Sequence, residues 1–227
     1  MLDGFDPTWD KVFLERSWGD YPPEALVRFI ARSFPTREDT HPEVLEIGCG
    51  TGANLWYLAR EHCRAFGIDA SQAAIDLCHK RSLIEWLKYG LAQLDVKNIG
   101  VVFSPSSFDA VVDICCLNHA AINADPIVSD CHTLLKVGGK MLSMLLAEGT
   151  YGADSGTEIA PRTYINIQDG PLAGVGRTKV YTRADVDEAF ACFRDVAVQR
   201  MTVTDTKTNA AIIHWIVTAT KDRSYAH

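Results

Sequence analysis

Three glycines at alternate positions, Gly48, Gly50 and Gly52, separate an apolar run from a helical pattern. Val44, Leu45 and Ile47 precede them as a short strand, and Leu55, Trp56, Leu58 and Ala59 follow at helical spacing. Glycine adopts left-handed backbone angles at little cost and lets a ligand approach backbone N–H groups with no Cβ in the way. Strand, glycine turn and helix in that order form a cradle for a nucleotide-type cofactor on a parallel sheet. The loop thus narrows the fold to an open α/β architecture.

The rest of the chain continues the alternation. Strands are expected at 44–47, 64–68, 91–94, 108–114 and 140–146, with helices at 52–62, 71–88 and 127–135. Ser71 is a good N-cap, Pro126 suits a first helical turn, and Gly138-Gly139 is expected to stop the third helix. Five strands alternating with helices imply a doubly wound, mostly parallel sheet that binds ligands at the strands' carboxyl ends. Residues 148–181 are glycine-rich and lack periodicity, with short strand pieces expected at 163–167 and 177–181. Thr182 caps a helix at 183–190, and the runs 196–204 and 210–220 read as an antiparallel hairpin. Ahead of the first strand, residues 1–40 form an N-terminal extension to a main domain at 41–227. Its aromatics Trp9, Phe13, Trp18 and Tyr21 recur among charges, and Pro22-Pro23 opens an amphipathic helix at 24–34. The extension either packs on the core edge or serves as a lid over the cofactor.

At 227 residues the chain suits one sizeable domain. Its 47% apolar and 22% charged residues are those of an ordinary soluble protein. A net charge of −7, with no long basic run, argues against nucleic acid as the main partner. No stretch is long enough to span a membrane, and the N-terminus lacks the basic and apolar regions of a signal peptide. Seven scattered cysteines without a CxxC pair point to reduced thiols in a cytoplasmic protein. The histidines are dispersed without ligand spacing, so no metal is expected.

The residues just after each strand are the ones that face a ligand. Asp69 follows strand two, where a carboxylate can accept from ribose hydroxyls, and Asp95 follows strand three. Asn118 and His119 follow strand four and Glu148 follows strand five. Glu46-Ile47-Gly48-Cys49-Gly50-Thr51-Gly52 resembles the first motif of class I S-adenosylmethionine-dependent methyltransferases. Gly67-Ile68-Asp69-Ala70-Ser71 resembles their second motif, and Leu94-Asp95 the acidic position before their adenine pocket. Ser107-Phe108-Asp109-Ala110-Val111 and Leu135-Lys136-Val137-Gly138-Gly139-Lys140 are similar to their fourth strand and the turn into their fifth.

The resemblance implies a seven-stranded, mostly parallel Rossmann-like methyltransferase fold with an antiparallel C-terminal hairpin and an N-terminal helical lid. It implies S-adenosyl-L-methionine as cofactor, with S-adenosyl-L-homocysteine as product. Gly48, Cys49, Gly50 and Gly52 would pass close to the cofactor, and Glu46 would orient the loop or bind the methionine ammonium through water. Asp69 would hold the ribose, Ala70 would pack on adenine, and Asp95 would accept from its amino group. Backbone at Cys115 and Asn118 would line the methionine arm, with Trp18 and Tyr21 as lid candidates. His119 is the best-placed general base, its ordinary pKa being near neutral. Tyr151, Tyr164 and Arg177 fall where the family builds acceptor pockets, each with a purely structural alternative. The expected reaction is methyl transfer to an oxygen or nitrogen of a small-molecule acceptor. A tRNA or protein acceptor, an NAD(P)-dependent oxidoreductase and a non-catalytic cofactor-binding protein are the competing readings; Gly48-x-Gly50-x-x-Ala53 satisfies the loose dinucleotide fingerprint as well.

Overall fold

In the computed structural model, residues 5–16, 19–120 and 122–222 are described. The strands are β1 (Glu43–Ile47), β2 (Arg64–Asp69), β3 (Gly90–Gln93), β4 (Phe108–Ile114), β5 (Leu135–Leu146), β6 (Thr157–Ala160), β7 (Thr163–Ile165), β8 (Thr178–Lys179), β9 (Asp195–Thr204) and β10 (Ala211–Thr220). The helices are α1 (Thr8–Glu15), α2 (Glu24–Ser33), α3 (Arg37–Thr40), α4 (Ala53–Arg60), α5 (Gln72–Glu85), α6 (Ile99–Val102), α7 (Cys116–Ala120), α8 (Asp125–Leu134) and α9 (Arg183–Ala189).

Seven strands form one sheet in the order β3-β2-β1-β4-β5-β10-β9. β10 runs antiparallel to both β5 and β9, while β1 to β5 pair in parallel. This is the expected mostly parallel sheet with an antiparallel C-terminal hairpin. The order reverses between β1 and β4, the place where such a sheet opens a crevice at its carboxyl edge.

Successive side chains of a strand face opposite ways. Leu45 and Ile47 of β1 accordingly join one apolar layer with Val111, Val128, Leu134 and Phe190. Val44 joins the opposite layer with Leu55, Leu58, Ile75 and Val112. Helix α2 contributes Leu26, Phe29 and Ile30 to that second layer, so this part of the extension is core. Asp109 accepts hydrogen bonds from the Glu43 amide at 2.8 Å and the Lys136 Nζ at 2.9 Å, tying β4 to the entry of both neighbours.

Two expectations change. α8 ends at Leu134, whose successor Leu135 is already extended, so Gly138-Gly139 do not stop it. They lie within β5, where Gly138 N–H donates to the Lys221 carbonyl and Lys221 N–H to the Gly139 carbonyl. The glycine-rich stretch after β5 also holds more order than its composition suggests. β6, β7 and β8 form a small antiparallel sheet, over an apolar cluster of Leu146, Ile167, Leu172, Val175 and Val180. Among the described residues, no helix is long and apolar enough to cross a membrane.

Candidate active site

The turn after β1 uses its glycines as the motif requires. Gly48, Gly50 and Gly52 have φ of +66°, +51° and +78°, a region strained for other L-residues. A Cβ on Gly48 would lie 2.6 Å from the Cys116 side chain, and one on Gly52 would lie 2.9 Å from Cys78 Sγ. Gly50 faces the Phe13 ring at 3.5 Å. Cys49 turns away and is buried, its Sγ 3.9 Å from that of Cys78. The Cys78 thiol donates to the Gly50 carbonyl at 3.1 Å and braces the loop from behind.

Three carboxylates surround this turn. Glu46 is buried, its Oε1 accepting from Asn54 Nδ2 at 2.6 Å while Oε2 has no partner among the described residues. Burial pushes its pKa up to about 8; the Asn54 bond opposes that rise, and the carboxylates of Asp69 and Asp113 add to it. Asp69 accepts from Gly50 N–H and Ser71 N–H, both at 2.9 Å, which fixes the loop against the end of β2; burial raises its pKa. Asp95 caps the short 3₁₀ turn Val96–Asn98 by accepting from Lys97 N–H at 3.0 Å.

Asp69, Asp95 and the glycine turn line an open cleft of about 750 Å³. Gly48, Gly50, Asp69, Ala70 and the segment Leu94 to Val96 line it on the β1–β3 side. Ile114, Cys115, Cys116, His119 and Ala120 line it from the end of β4 and α7. The N-terminal residues Phe5, Asp6, Trp9 and Phe13 complete it. Asp6 accepts from Arg177 N–H at 2.8 Å and Thr8 N–H at 3.0 Å. Burial alone would raise its pKa, but these bonds hold the carboxyl below its ordinary value. Asp10 of α1 accepts from Ser71 Oγ at 2.5 Å, just beyond Asp69. The helix is thereby pinned on both sides of the cleft.

His119 sits on a braced platform. Asp113, buried at the end of β4, accepts from Leu117 N–H at 3.2 Å and from Ser143 Oγ, fixing the start of α7 to β4 and β5. Burial raises its pKa to about 7. Cys115 makes the intervening turn at φ +64°. The His119 ring packs edge-on to Trp9, with centroids 4.7 Å apart. Its Nδ1 lies 3.0 Å from the Arg177 carbonyl and 3.2 Å from Thr178 Oγ1. Burial lowers its pKa to about 4, so the imidazole is neutral at neutral pH.

Of the residues expected from the sequence, Gly48, Gly50, Asp69, Ala70, Asp95, Cys115 and His119 all line this cleft. Glu46, Cys49, Gly52 and Asn118 stand behind it. Asn118 is a strut, accepting from Leu146 N–H at 3.0 Å and donating to the Lys179 carbonyl at 2.6 Å. Tyr21 does not line the cleft; it is 78% exposed and packs edge-on against Trp56. Trp18 lies outside the described residues. Tyr151, Tyr164 and Arg177 do not line it either. Tyr151 is exposed, Tyr164 packs on the apolar cluster under the small sheet, and Arg177 is buried behind His119. In place of Tyr21, the described part of the extension supplies Trp9 and Phe13, whose spacing of four with Val12 between is a helical signal visible in the sequence. Asp6 has no local signal at all.

Residues 44–139 match a family model described as a methyltransferase domain. The chain is 31% identical over 98 residues to a ubiquinone biosynthesis O-methyltransferase of Nitrosococcus oceani, covering 43% of this chain and 41% of that protein. It is 29% identical over 147 residues to a tRNA N(3)-methylcytidine methyltransferase of Schizosaccharomyces pombe, covering 58% and 44% respectively. The matched segment thus spans less than half the length of these relatives. A solved structure of the Burkholderia thailandensis 1,6-didemethyltoxoflavin-N1-methyltransferase, bound to 1,6-didemethyltoxoflavin and S-adenosylhomocysteine, has the same fold. It superposes with a TM-score of 0.61 at 19% identity, covering 88% of this chain and 79% of that one.

The residues present fit S-adenosylmethionine. Glu46 Oε2 is buried beside the glycine turn without a partner among the described residues, suited to an ammonium. A side chain has no room at Gly48 or Gly52 of the turn, and carboxylates end β2 and precede the 3₁₀ turn after β3. The glycine turn, Asp69 and Asp95 all lie within the segment 44–139 that matches a methyltransferase domain.

Proposed function

We propose that the chain transfers the methyl group of S-adenosylmethionine to an oxygen or nitrogen of a small-molecule acceptor. The observation that carries this reading is a neutral imidazole, His119, lining the same cleft as the glycine turn and Asp69. Glu46 would take the cofactor's ammonium, Asp69 its ribose hydroxyls and Asp95 its adenine amino group. When bound, the cofactor supplies a methyl group already activated on a sulfonium. The protein's share is therefore alignment and exclusion of water. Trp9 and Phe13 cover the cleft for the second purpose. His119, unprotonated at neutral pH, would accept the proton that the acceptor's hydroxyl or amine must shed.

The small-molecule reading rests on the roof. Phe5, Asp6, Trp9 and Phe13 close over the cleft, and among the described residues no lysine or arginine lines it to meet a nucleic-acid backbone. Two of the relatives are named for ubiquinone biosynthesis and for a toxoflavin precursor, and one for tRNA. Calorimetry should show binding of S-adenosylmethionine and S-adenosylhomocysteine but not NADH. Methyl-labelled cofactor added with a cell extract should then label the low-molecular-weight fraction. Label confined to RNA or protein would overturn the acceptor class, and binding of NADH alone would overturn the cofactor.

A further inference from the structure

The sequence marks Arg177 as an acceptor-binding candidate, but its contacts assign it another task. Its carbonyl lies 3.0 Å from His119 Nδ1. Its guanidinium donates from one nitrogen to the carbonyls of His119 at 3.0 Å and Ala120 at 2.9 Å. Its own amide donates to Asp6 on the N-terminal segment at 2.8 Å. One residue thus grips His119 at the ring and at the main chain, and is itself held by the roof of the cleft.

This geometry settles which ring nitrogen carries the proton. A carbonyl oxygen only accepts, so Nδ1 must be the N–H that donates to it, and Nε2 keeps the lone pair. We infer that Arg177 is a positioning residue: it fixes His119 as the Nδ1–H tautomer, leaving Nε2 as the proton acceptor of the cleft. The inference deepens the role proposed for His119 and rests on that reading for its catalytic meaning. The tautomer itself does not depend on any acceptor. Thr178 Oγ1, 3.2 Å from Nδ1, stands beside the same bond.

Long-range ¹⁵N–¹H NMR of the histidine-labelled full chain at pH 7 tests it directly, with the His119 signals assigned by their loss in His119→Gln. The expected pattern is a protonated Nδ1 and a bare Nε2 in the wild-type protein. A protonated Nε2 there would overturn the inference whatever the enzyme does. Arg177→Met keeps that carbonyl but releases it from the guanidinium's grip on the His119 and Ala120 carbonyls, so the two tautomers should mix and kcat should fall about tenfold with the KM for S-adenosylmethionine unchanged, a part of what a general base supplies; an unmixed Nδ1–H tautomer would overturn the positioning role. Arg177→Lys, which keeps a donor, should recover most of both. Mixed tautomers with unchanged kcat would remove the catalytic consequence. The expected tautomer in a protein that methylates nothing would leave the positioning intact and sink the function.

Discussion

Gly50 meets Asp69 across 19 residues of sequence, whereas Asp6 meets Arg177 across 171. The first contact belongs to the side of the cleft that fits the cofactor, the second to the roof and the His119 platform. The cofactor side is made of backbone: glycine angles, strand-end amides and carboxylates that brace one another. The other side is made of side chains brought from an N-terminal helix, the turn after β4 and a strand of a separate small sheet. A ligand shared by a whole family can be held by local turns that recur with the fold, while an acceptor peculiar to one protein is read by distant pieces.

Substitutions can break this division, the largest effect first. Gly48→Val should abolish cofactor binding in calorimetry, because its Cβ drives into Cys116 at 2.6 Å and the residue is strained at positive φ. Gly50→Val has ordinary space against Phe13 and suffers the angle alone, so it should retain weak binding. Equal loss in both would mean that loop angle, not the Cys116 contact, governs the cradle. His119→Ala should lower kcat by about 100-fold or more and leave cofactor affinity alone, as removal of a general base does. A parallel loss of affinity would erase the distinction between the two sides. Asp69→Ala should weaken S-adenosylhomocysteine by roughly 1–3 kcal/mol, the cost of charge-assisted bonds left unmade. Unchanged affinity would take Asp69 out of the cofactor side.

The smallest effect is a proton. Glu46, with a pKa near 8, is mostly protonated at pH 7 before a ligand arrives. An ammonium placed beside it favours the carboxylate and lowers that pKa. Binding therefore releases a proton, and affinity should tighten as pH rises from 7 towards 8, by less than tenfold, then level. The calorimetric heat at pH 7 should differ between phosphate and Tris, and Glu46→Gln should remove the difference. No buffer dependence in the wild type would mean that Glu46 stays protonated with the cofactor bound.

The same division explains what the sequence disclosed. Strand periodicity, the glycine turn, Asp69 and Asp95 are consecutive in the chain, so the sheet and the cofactor side were legible. His119 was legible too, because it follows a strand end. The acceptor candidates lie away from the cleft for the opposite reason. Tyr151, Tyr164 and Arg177 lie in a stretch whose order comes from pairing of three short strands, a tertiary effect without periodicity. Phe13 and Tyr21 are both aromatics of the extension, and position separates them: Phe13 is on the buried face of α1 with Val12, and Tyr21 lies beyond that helix. Gly138-Gly139 read as a stop because they follow a helix, while their pairing partner Lys221 lies at the far end of the chain.

The two anchors of the roof have a consequence for timing. Asp6 holds the Arg177 side and Asp10, one helical turn on, holds Ser71 beside Asp69. A short helix moves as one body, so it does not lift from one half of the cleft while seated on the other. Where such a helix has to undock for ligand exchange, spent cofactor and methylated product are expected to leave in one event, gated by eight residues.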